Sequence, residues 1–477
     1  MFVKSKFLTI TVIALISFVS PAIGRPGSAK ASTGRPNILF ILTDDLGYGD
    51  LGSYGQAIIK TPRLDRMAQE GLRFTRCYAG GPKCATSRAS LLTGKHSGHL
   101  DIRGNQSSHP DYEWMPLHQK ETSVLKVLHD TGYTTGMIGK WGMVEVDHGP
   151  ESEGNPNKHG VDHFYGAMDH MHANVAYPEF LWRNGKREYI PQNKNASKND
   201  DLYSHDLYTR EALKFIRENK NNEFFLYLAY SIPHANSYYT GTDQENDPRR
   251  MHIPSDEPYS DREWPQQERN FAAMITRMDR DVGTMLDLLD ELGLSENTIV
   301  IFTSDNGPHK QANHDYEFFN SNGDLRGLKG DLYEGGIRVP MIVRQPGTIQ
   351  AGQVSEQVLA FWDFLPTAAA IAGVTPPSGI DGQSFLPMLR GKPPKETKPL
   401  FWEHHSKYSE EVSFAVLDGV WKGVINGSGN PLELYKLSSD PSEENNLAGS
   451  HAEMVRRLNN LIRTSRTPSI YWPTSSD

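Results

Sequence analysis

The chain has 477 residues, a formal net charge of −9 and 37% hydrophobic residues, with 42 glycines and 30 prolines. That length exceeds what one compact core usually spans, and the composition excludes a mostly disordered chain, so one large domain and one smaller one are expected. The acidic balance argues against a nucleic-acid-binding surface, and an anionic substrate would need cations gathered locally in a pocket.

At the N-terminus, Lys4 and Lys6 precede an apolar stretch from Phe7 to Val19, followed by small residues near Ala22 and Gly24. This pattern predicts an export signal over residues 1–24, with an apolar stretch too short for a comfortable membrane span. A periplasmic or extracellular protein with no stable membrane partner follows as an expectation. The chain has two cysteines, Cys77 and Cys84, too few for a disulfide framework. A Cys77–Cys84 bridge is the bland alternative, and the surroundings of Cys84 argue against it.

Ile38 to Leu42 is a continuous apolar run, as expected for a parallel strand buried on both faces. Thr61-Pro62 opens a helix carrying Leu64, Met67 and Ala68 on one face, with Gly71 as a stop. Val124, Leu125, Val127 and Leu128 give a second helix ending at Gly132, and a strand follows over Thr134 to Ile138. A helix from Asp206 to Glu218, a strand from Phe224 to Tyr230 and a long helix from Gln267 to Leu292 continue the alternation. Further strands are expected over Thr298 to Thr303 and Val339 to Val343. The fold class is therefore α/β, a mostly parallel sheet sandwiched by helices. After Gly391 the segments shorten to Val412–Leu417, Trp421–Ile425 and a helix near Met454–Ile462, which reads as a small antiparallel sheet plus a helix. The expected domains are 34–390 and a C-terminal α+β subdomain, 391–477.

Sites in such sheets form beyond the carboxyl ends of strands. Asp44-Asp45, Lys140, His234 and Asp305-Asn306 follow four separate predicted strands, which makes a constellation rather than a coincidence. Asp44, Asp45, Asp305 and Asn306 offer hard oxygen ligands suited to Ca²⁺ or Mg²⁺ and poorly suited to zinc. Cys84 opens Cys84-Ala85-Thr86-Ser87-Arg88 after the flexible Gly80-Gly81-Pro82, which places it near a helix N-terminus with Arg88 one turn on. A nucleophile beside a cation and a metal suits an anionic ester. A thiolate on a hard cation is chemically awkward, a hint that the thiol is not the final species.

Arg35-Pro36-Asn37-Ile38 running into Thr43-Asp44-Asp45-Leu46-Gly47-Tyr48-Gly49-Asp50 resembles the opening motif of the sulfatase family, in the alkaline-phosphatase-like superfamily. The Cys84 to Arg88 segment with Leu92-Thr93-Gly94 resembles the signature in which the cysteine is oxidised to formylglycine (3-oxoalanine). Gly139-Lys140-Trp141-Gly142, Ile232-Pro233-His234, Ser304-Asp305-Asn306-Gly307, Arg326-Gly327-Leu328-Lys329-Gly330 and Tyr333-Glu334-Gly335-Gly336 are similar to further family motifs.

The resemblance implies an alkaline-phosphatase-like fold and hydrolysis of sulfate esters, with a formylglycine-generating enzyme as maturation partner. It implies Ca²⁺, or Mg²⁺, bound by Asp44, Asp45, Asp305, Asn306 and modified Cys84. One hydroxyl of the hydrated aldehyde would attack sulfur and the second would help expel sulfate. Arg88 would stabilise the hydrate, and Lys140, Lys329 and His234 would hold the sulfate, with Lys329 or His234 protonating the leaving oxygen. Thr86 stands where the signature usually has Pro or Ala. Gly142 stands where many members carry a histidine, and His99, His148 and His309 are the candidates to replace it.

His309 and His314 after the metal motif, and His172 with Asn174, are read as contacts to a sugar-like leaving group, so the expected substrate is a sulfated carbohydrate. Solvated loop histidines are the plain alternative. Two rival readings remain open at the level of sequence. One is a phosphatase or phosphodiesterase of the same superfamily, and the other is a non-catalytic sulfated-glycan-binding relative.

Overall fold

The computed structural model describes residues 1–2 and 34–474, except 108, 110–111, 147, 196–201, 237–246, 393–397 and 407–410. The apolar stretch of the expected export signal lies outside the described residues.

The strands in chain order are β1 Asn37–Asp44, β2 Leu72–Tyr78, β3 Thr134–Lys140, β4 His163–Ala167, β5 Phe180–Arg183, β6 Lys186–Tyr189, β7 Phe224–Pro233 and β8 Thr298–Ser304. They continue with β9 Arg338–Arg344, β10 Gln353–Ser355, β11 Leu359–Ala360, β12 Leu400–His405, β13 Val412–Asp418, β14 Trp421–Ile425 and β15 Glu433–Lys436. The first eleven form one sheet in the order β10-β2-β9-β8-β1-β7-β3-β4-β5-β6, with β11 also pairing β2. Its centre, from β8 through β1, β7 and β3 to β4, is parallel. β9 enters antiparallel between β8 and β2, and the β5–β6 hairpin closes the other edge antiparallel. The remaining strands form the separate four-stranded antiparallel sheet β12-β13-β14-β15.

Strand β1 is buried along its whole length. Ile38, Phe40 and Leu42 face one apolar cluster while Leu39 and Ile41 face a second, so alternate side chains feed the two faces of the sheet. Helices cover both faces. α1 (Pro62–Gln69) takes Thr61 as its N-cap residue and buries Leu64, Met67 and Ala68, the three positions the spacing predicts. α2 spans Cys84–Thr93, α3 Val124–Asp130, α4 His170–Ala173 and α5 Ser204–Glu218. α6, Gln266–Glu291, buries Phe271, Met274, Met278, Val282, Met285 and Leu289, again the predicted face. Complete burial of these six side chains contributes roughly 1.5–3 kcal/mol each relative to exposure.

The predicted strands run one to three residues further than the sequence pattern suggests, and the extension matters. β3 continues to Lys140 and β7 to Pro233, so Lys140 ends its strand and His234 directly follows its own. Strand β2 was not expected. Its sequence Leu-Arg-Phe-Thr-Arg-Cys-Tyr carries two arginines, and several of its side chains are only half buried. Gly139 has φ 103°, and a Cβ there would lie 2.0 Å from the Ala229 carbonyl oxygen, so only glycine lets β3 approach β7 just before Lys140.

Candidate functional site

The carboxyl ends of β1, β7, β3 and β8 lie side by side because those strands are parallel and in register, Thr43 opposite Ser304 and Asp44 opposite Pro233. Asp44, Asp45 and Asp305 are fully buried there, and one oxygen of each lies within 4.8 Å of the others and of the Cys84 sulfur. Asp45 sits at φ 68°, a left-handed conformation uncommon outside glycine. It is pinned by its amide donating to Asp305 Oδ1 at 3.2 Å and by Asn306 Nδ2 donating to Asp45 Oδ1 at 2.7 Å. That leaves the buried Asn306 Oδ1 without a hydrogen-bond partner. Burial and the neighbouring Asp44, with a lesser contribution from Asp45, push the Asp305 carboxyl up to about 7. An orphaned amide oxygen among three crowded carboxylates is a donor set for a hard divalent cation.

Cys84 is the first residue of α2, and its thiol donates to Asp44 Oδ1 at 3.2 Å. Burial, reinforced by Asp44, pushes that thiol up to about 12, so at neutral pH it is a protonated, poor nucleophile. Both cysteines are free and buried, and no disulfide joins them. One turn along α2, the Arg88 guanidinium donates to Asp305 Oδ2 from Nε at 3.0 Å and to the Lys140 carbonyl from Nη1 at 2.8 Å. Arg88 thereby ties α2 to the ends of β8 and β3.

Two lysines converge on the aspartates. Lys140 Nζ lies 2.5 Å from Asp44 Oδ2 and 3.3 Å from Asn174 Oδ1, while Lys329 Nζ lies 2.7 Å from Asp45 Oδ2. Burial pulls the Lys329 ammonium down, but Asp45, Cys84 and Asp44 outweigh it and hold it above its ordinary value. His234 Nδ1 lies 2.6 Å from the Ala235 carbonyl, which places the ring proton on Nδ1 and leaves Nε2, 3.6 Å from Asp45 Oδ2, as the acceptor. Burial and Lys329 hold this imidazole well below its ordinary value, hence neutral.

The other predicted histidines take different places. His309 is buried beside His234, its Nε2 3.2 Å from the Pro233 carbonyl and its Nδ1 accepting from the Gln311 amide at 3.0 Å. His314 stacks on Phe271 and pairs with Glu268 at 2.8 Å. His172 packs on Phe180, with Nε2 2.9 Å from the Phe180 carbonyl, whereas Asn174 reaches Lys140. His99 pairs with Asp381 beyond the far end of α2, and His148 is exposed.

Three residues that sequence reasoning passed over belong to this neighbourhood. His170 lies against Gly142: a Cβ on that glycine would come 3.7 Å from His170 Nδ1 and 3.7 Å from Lys140 Cε. Its Nε2 is 3.4 Å from Asn105 Nδ2, and Asn105 Oδ1 accepts from the Ala85 amide at 3.1 Å, which fixes the orientation of that amide group. The His170 proton therefore sits on Nδ1, a buried donor with no partner, and Trp114 stacks over the ring at 4.9 Å. The third is Lys83, whose ammonium lies 3.3 Å from where a Gly330 Cβ would stand. A lysine immediately before the signature cysteine was the one legible signal; His170 offered none, because only the packing of α4 on β3 brings it to Gly142.

Residues 36–374 match the sulfatase family model, and 329–467 match the model described as N-sulphoglucosamine sulphohydrolase, C-terminal. N-acetylgalactosamine-6-sulfatase of Homo sapiens is 33% identical over 473 residues, covering 94% of this chain and 83% of the relative. Arylsulfatase A of Homo sapiens is 31% identical over 476 residues, covering 89% of this chain and 87% of the relative. Among solved structures, Ps i-CgsB in complex with k-i-k-neocarrahexaose superposes with a TM-score of 0.76 at 25% identity, covering 93% of this chain and 96% of that one.

Proposed function

The chain belongs to the sulfatase family of sulfuric ester hydrolases, and from that premise we propose that it is an exported enzyme removing sulfate from a sulfated carbohydrate, with Cys84 matured to formylglycine and Ca²⁺ as its metal. The observation that carries the finer reading is the donor set. Three buried carboxylates crowd together with the orphaned Asn306 Oδ1, and three cations, Arg88, Lys140 and Lys329, ring them.

Asp44, Asp45, Asp305 and Asn306 would hold the ion, with the matured Cys84 side chain beside it. When bound, the ion supplies charge neutralisation and Lewis-acid polarisation. The protonated, buried thiol agrees with a side chain that must be converted before it can act. Arg88 fixes α2 against Asp305 and so orients residue 84. Lys140 and the unpaired Nδ1–H of His170 approach from the Gly142 side and hold sulfate oxygens, a fixed donor arrangement of the oxyanion-hole kind. With its proton engaged by the Ala235 carbonyl, His234 presents a lone pair at Nε2. Lys329 is then the group that protonates the leaving oxygen. Asn174 orients Lys140, and His309 buttresses His234. We propose 34–390 as the catalytic domain and 391–477 as the C-terminal subdomain, with no helix among the described residues long and apolar enough to cross a membrane. The carbohydrate reading draws on the relative named for N-acetylgalactosamine and on the neighbour solved with neocarrahexaose.

The test is sulfate release from a panel of sulfated mono- and oligosaccharides by protein co-expressed with a formylglycine-generating enzyme. Release by the wild type and none by Cys84→Ala supports the reading. Release of phosphate from phosphate esters in its place would transfer the chain to the phosphatase side of the superfamily. Chelation should abolish sulfate release and lower the melting temperature, since an ion bound only to the folded state stabilises it by mass action, and Ca²⁺ should restore both.

A further inference from the structure

The inference concerns Lys83 and rests on the sulfatase reading. The three carboxylates of the site are matched by three cations. Arg88 pairs with Asp305, Lys140 with Asp44 and Lys329 with Asp45. Lys83 is a fourth cation at the same place, and its ammonium has no hydrogen-bond or ion-pair partner among the described residues.

Its position is built. Lys83 is the N-cap residue of α2, extended at φ −133° and ψ 150°, with Cys84 next in the chain. The Gly330 amide donates to the Pro82 carbonyl at 2.9 Å, which fastens the 82–84 segment to the loop that carries Lys329. Gly330, at φ 104°, has no Cβ, and the Lys83 ammonium occupies the space beside it. The groups facing Lys83 are Lys329, Cys84, Asp45, Asp331 and, from β12, His404. Neither carboxylate forms an ion pair with Lys83. Asp45 is engaged by Lys329, and Asp331 Oδ2 accepts from the Leu328 amide at 2.9 Å. Burial and Lys83 hold the His404 imidazole down to about 3, so it is neutral, and its buried Nδ1 has no partner. Desolvation and the nearby Lys329 lower the Lys83 ammonium and outweigh the opposing pull of Cys84, Asp45 and Asp331. Lys83 is nevertheless only half-buried as a residue, not sealed into the core.

A partly desolvated cation without a counterion is costly, and a ligand anion offsets that cost. The scissile sulfate already has Lys140, Lys329 and the His170 donor. We propose that Lys83 binds a second anionic group of the substrate, a carboxylate or a second sulfate standing next to the ester that is cleaved, so that the preferred substrates are dianionic. An ammonium is a compact charge with three rotatable donors and accepts either anion without demanding bidentate geometry.

The experiment compares kcat/KM for 4-nitrophenyl sulfate with that for the same ester carrying a carboxylate, or a second sulfate, on the adjacent ring carbon, in the wild type, Lys83→Met and Lys83→Arg. Because the readout is a ratio within each protein, incomplete maturation of Cys84 or loss of folded protein cancels. The wild type should prefer the dianionic ester. That preference should fall by roughly 10- to 100-fold in Lys83→Met, the range for a hydrogen bond to a charged group, and return in Lys83→Arg. A carboxylate effect without a sulfate effect, or the reverse, would identify which anion is read. No preference in the wild type, or an equal loss for both esters in Lys83→Met, would overturn the proposal, the latter by assigning Lys83 to the scissile sulfate. Absence of Cys84-dependent turnover of every ester would instead sink the sulfatase reading beneath it.

Discussion

Two of the buried charge clusters among the described residues are built on opposite plans. In the first, at the strand ends, Asp44, Asp45 and Asp305 crowd against one another, and Asn306 Oδ1 and His170 Nδ1 are left with open valence. In the second, Glu403 on β12 is fully buried and closed upon. Arg103 Nη1 lies 3.0 Å from both its oxygens, Arg466 Nε 3.0 Å from Oε2, and His405 Nε2 2.7 Å from Oε1. The electrostatics follow the geometry. Burial and like-charge repulsion lift Asp305, whereas around Glu403 burial is outweighed by the hydrogen bonds and positive charge of His405, Arg466 and Arg103, which hold it down to about 2. Buried charge therefore does not identify a functional site by itself. The Glu403 group spends all its valence joining the chain near residue 103, β12 and the C-terminal segment. The strand-end group keeps valence in reserve, and reserve is what a ligand can use.

The contrast can be broken experimentally. The largest effect belongs to Cys84→Ala, expected to reduce sulfate release to background while the urea midpoint stays near wild type; residual multiple turnovers would erase the functional side of the comparison. Glu403→Gln, at the closed cluster, should cost about 3–5 kcal/mol of stability by stranding Arg103 and Arg466 without a counterion, with kcat/KM of the folded protein retained. Urea denaturation reads the first quantity, and a stability change within error would show that the cluster is not closed as described. Lys140→Ala and Lys329→Ala should each lower kcat roughly 10²- to 10³-fold, the scale of a lost oxyanion donor, with the melting transition preserved. Wild-type rates in both would remove them from the sulfate pocket. The smallest effect is in pH. Glu403 has a folded-state value depressed from 4.5 to about 2, so its contribution is complete above about pH 4.5 and is lost as pH falls toward 2, because the unfolded chain takes up the proton first. Wild-type stability should thus fall more steeply between about pH 4.5 and 2 than that of Glu403→Gln, and parallel curves would refute the assignment.

Much of the architecture was legible because its signals are local. The apolar run of β1, the Thr61-Pro62 helix start and the periodic face of α6 each need only a few neighbouring residues to be recognised. β2, β4 and the β5–β6 hairpin were not, since their arginines, glycine and exposed side chains gain strand character only from the partners they pair with. Within the site, Asp44, Asp45, Asp305, Lys140 and His234 could be placed together because parallel strands end on one side of a sheet. His309, read from the sequence as a sugar contact and as a candidate for the histidine absent at Gly142, could not be placed, since its ring hydrogen bonds run to residues far from it in the chain as well as near it.

By itself the sequence determined the class of fold, the strand ends where polar and charged residues gather, the order of the motifs and the residue types that could serve a hard cation and a nucleophile. Only the tertiary structure decided which polar atoms remain unpaired: Asn306 Oδ1 once Nδ2 is taken by Asp45, His170 Nδ1 once Nε2 is taken by Asn105, and Lys83 once every nearby carboxylate has another partner. The physical reason is that a residue's type states what it can donate or accept, whereas what it has left to give depends on every neighbour in space.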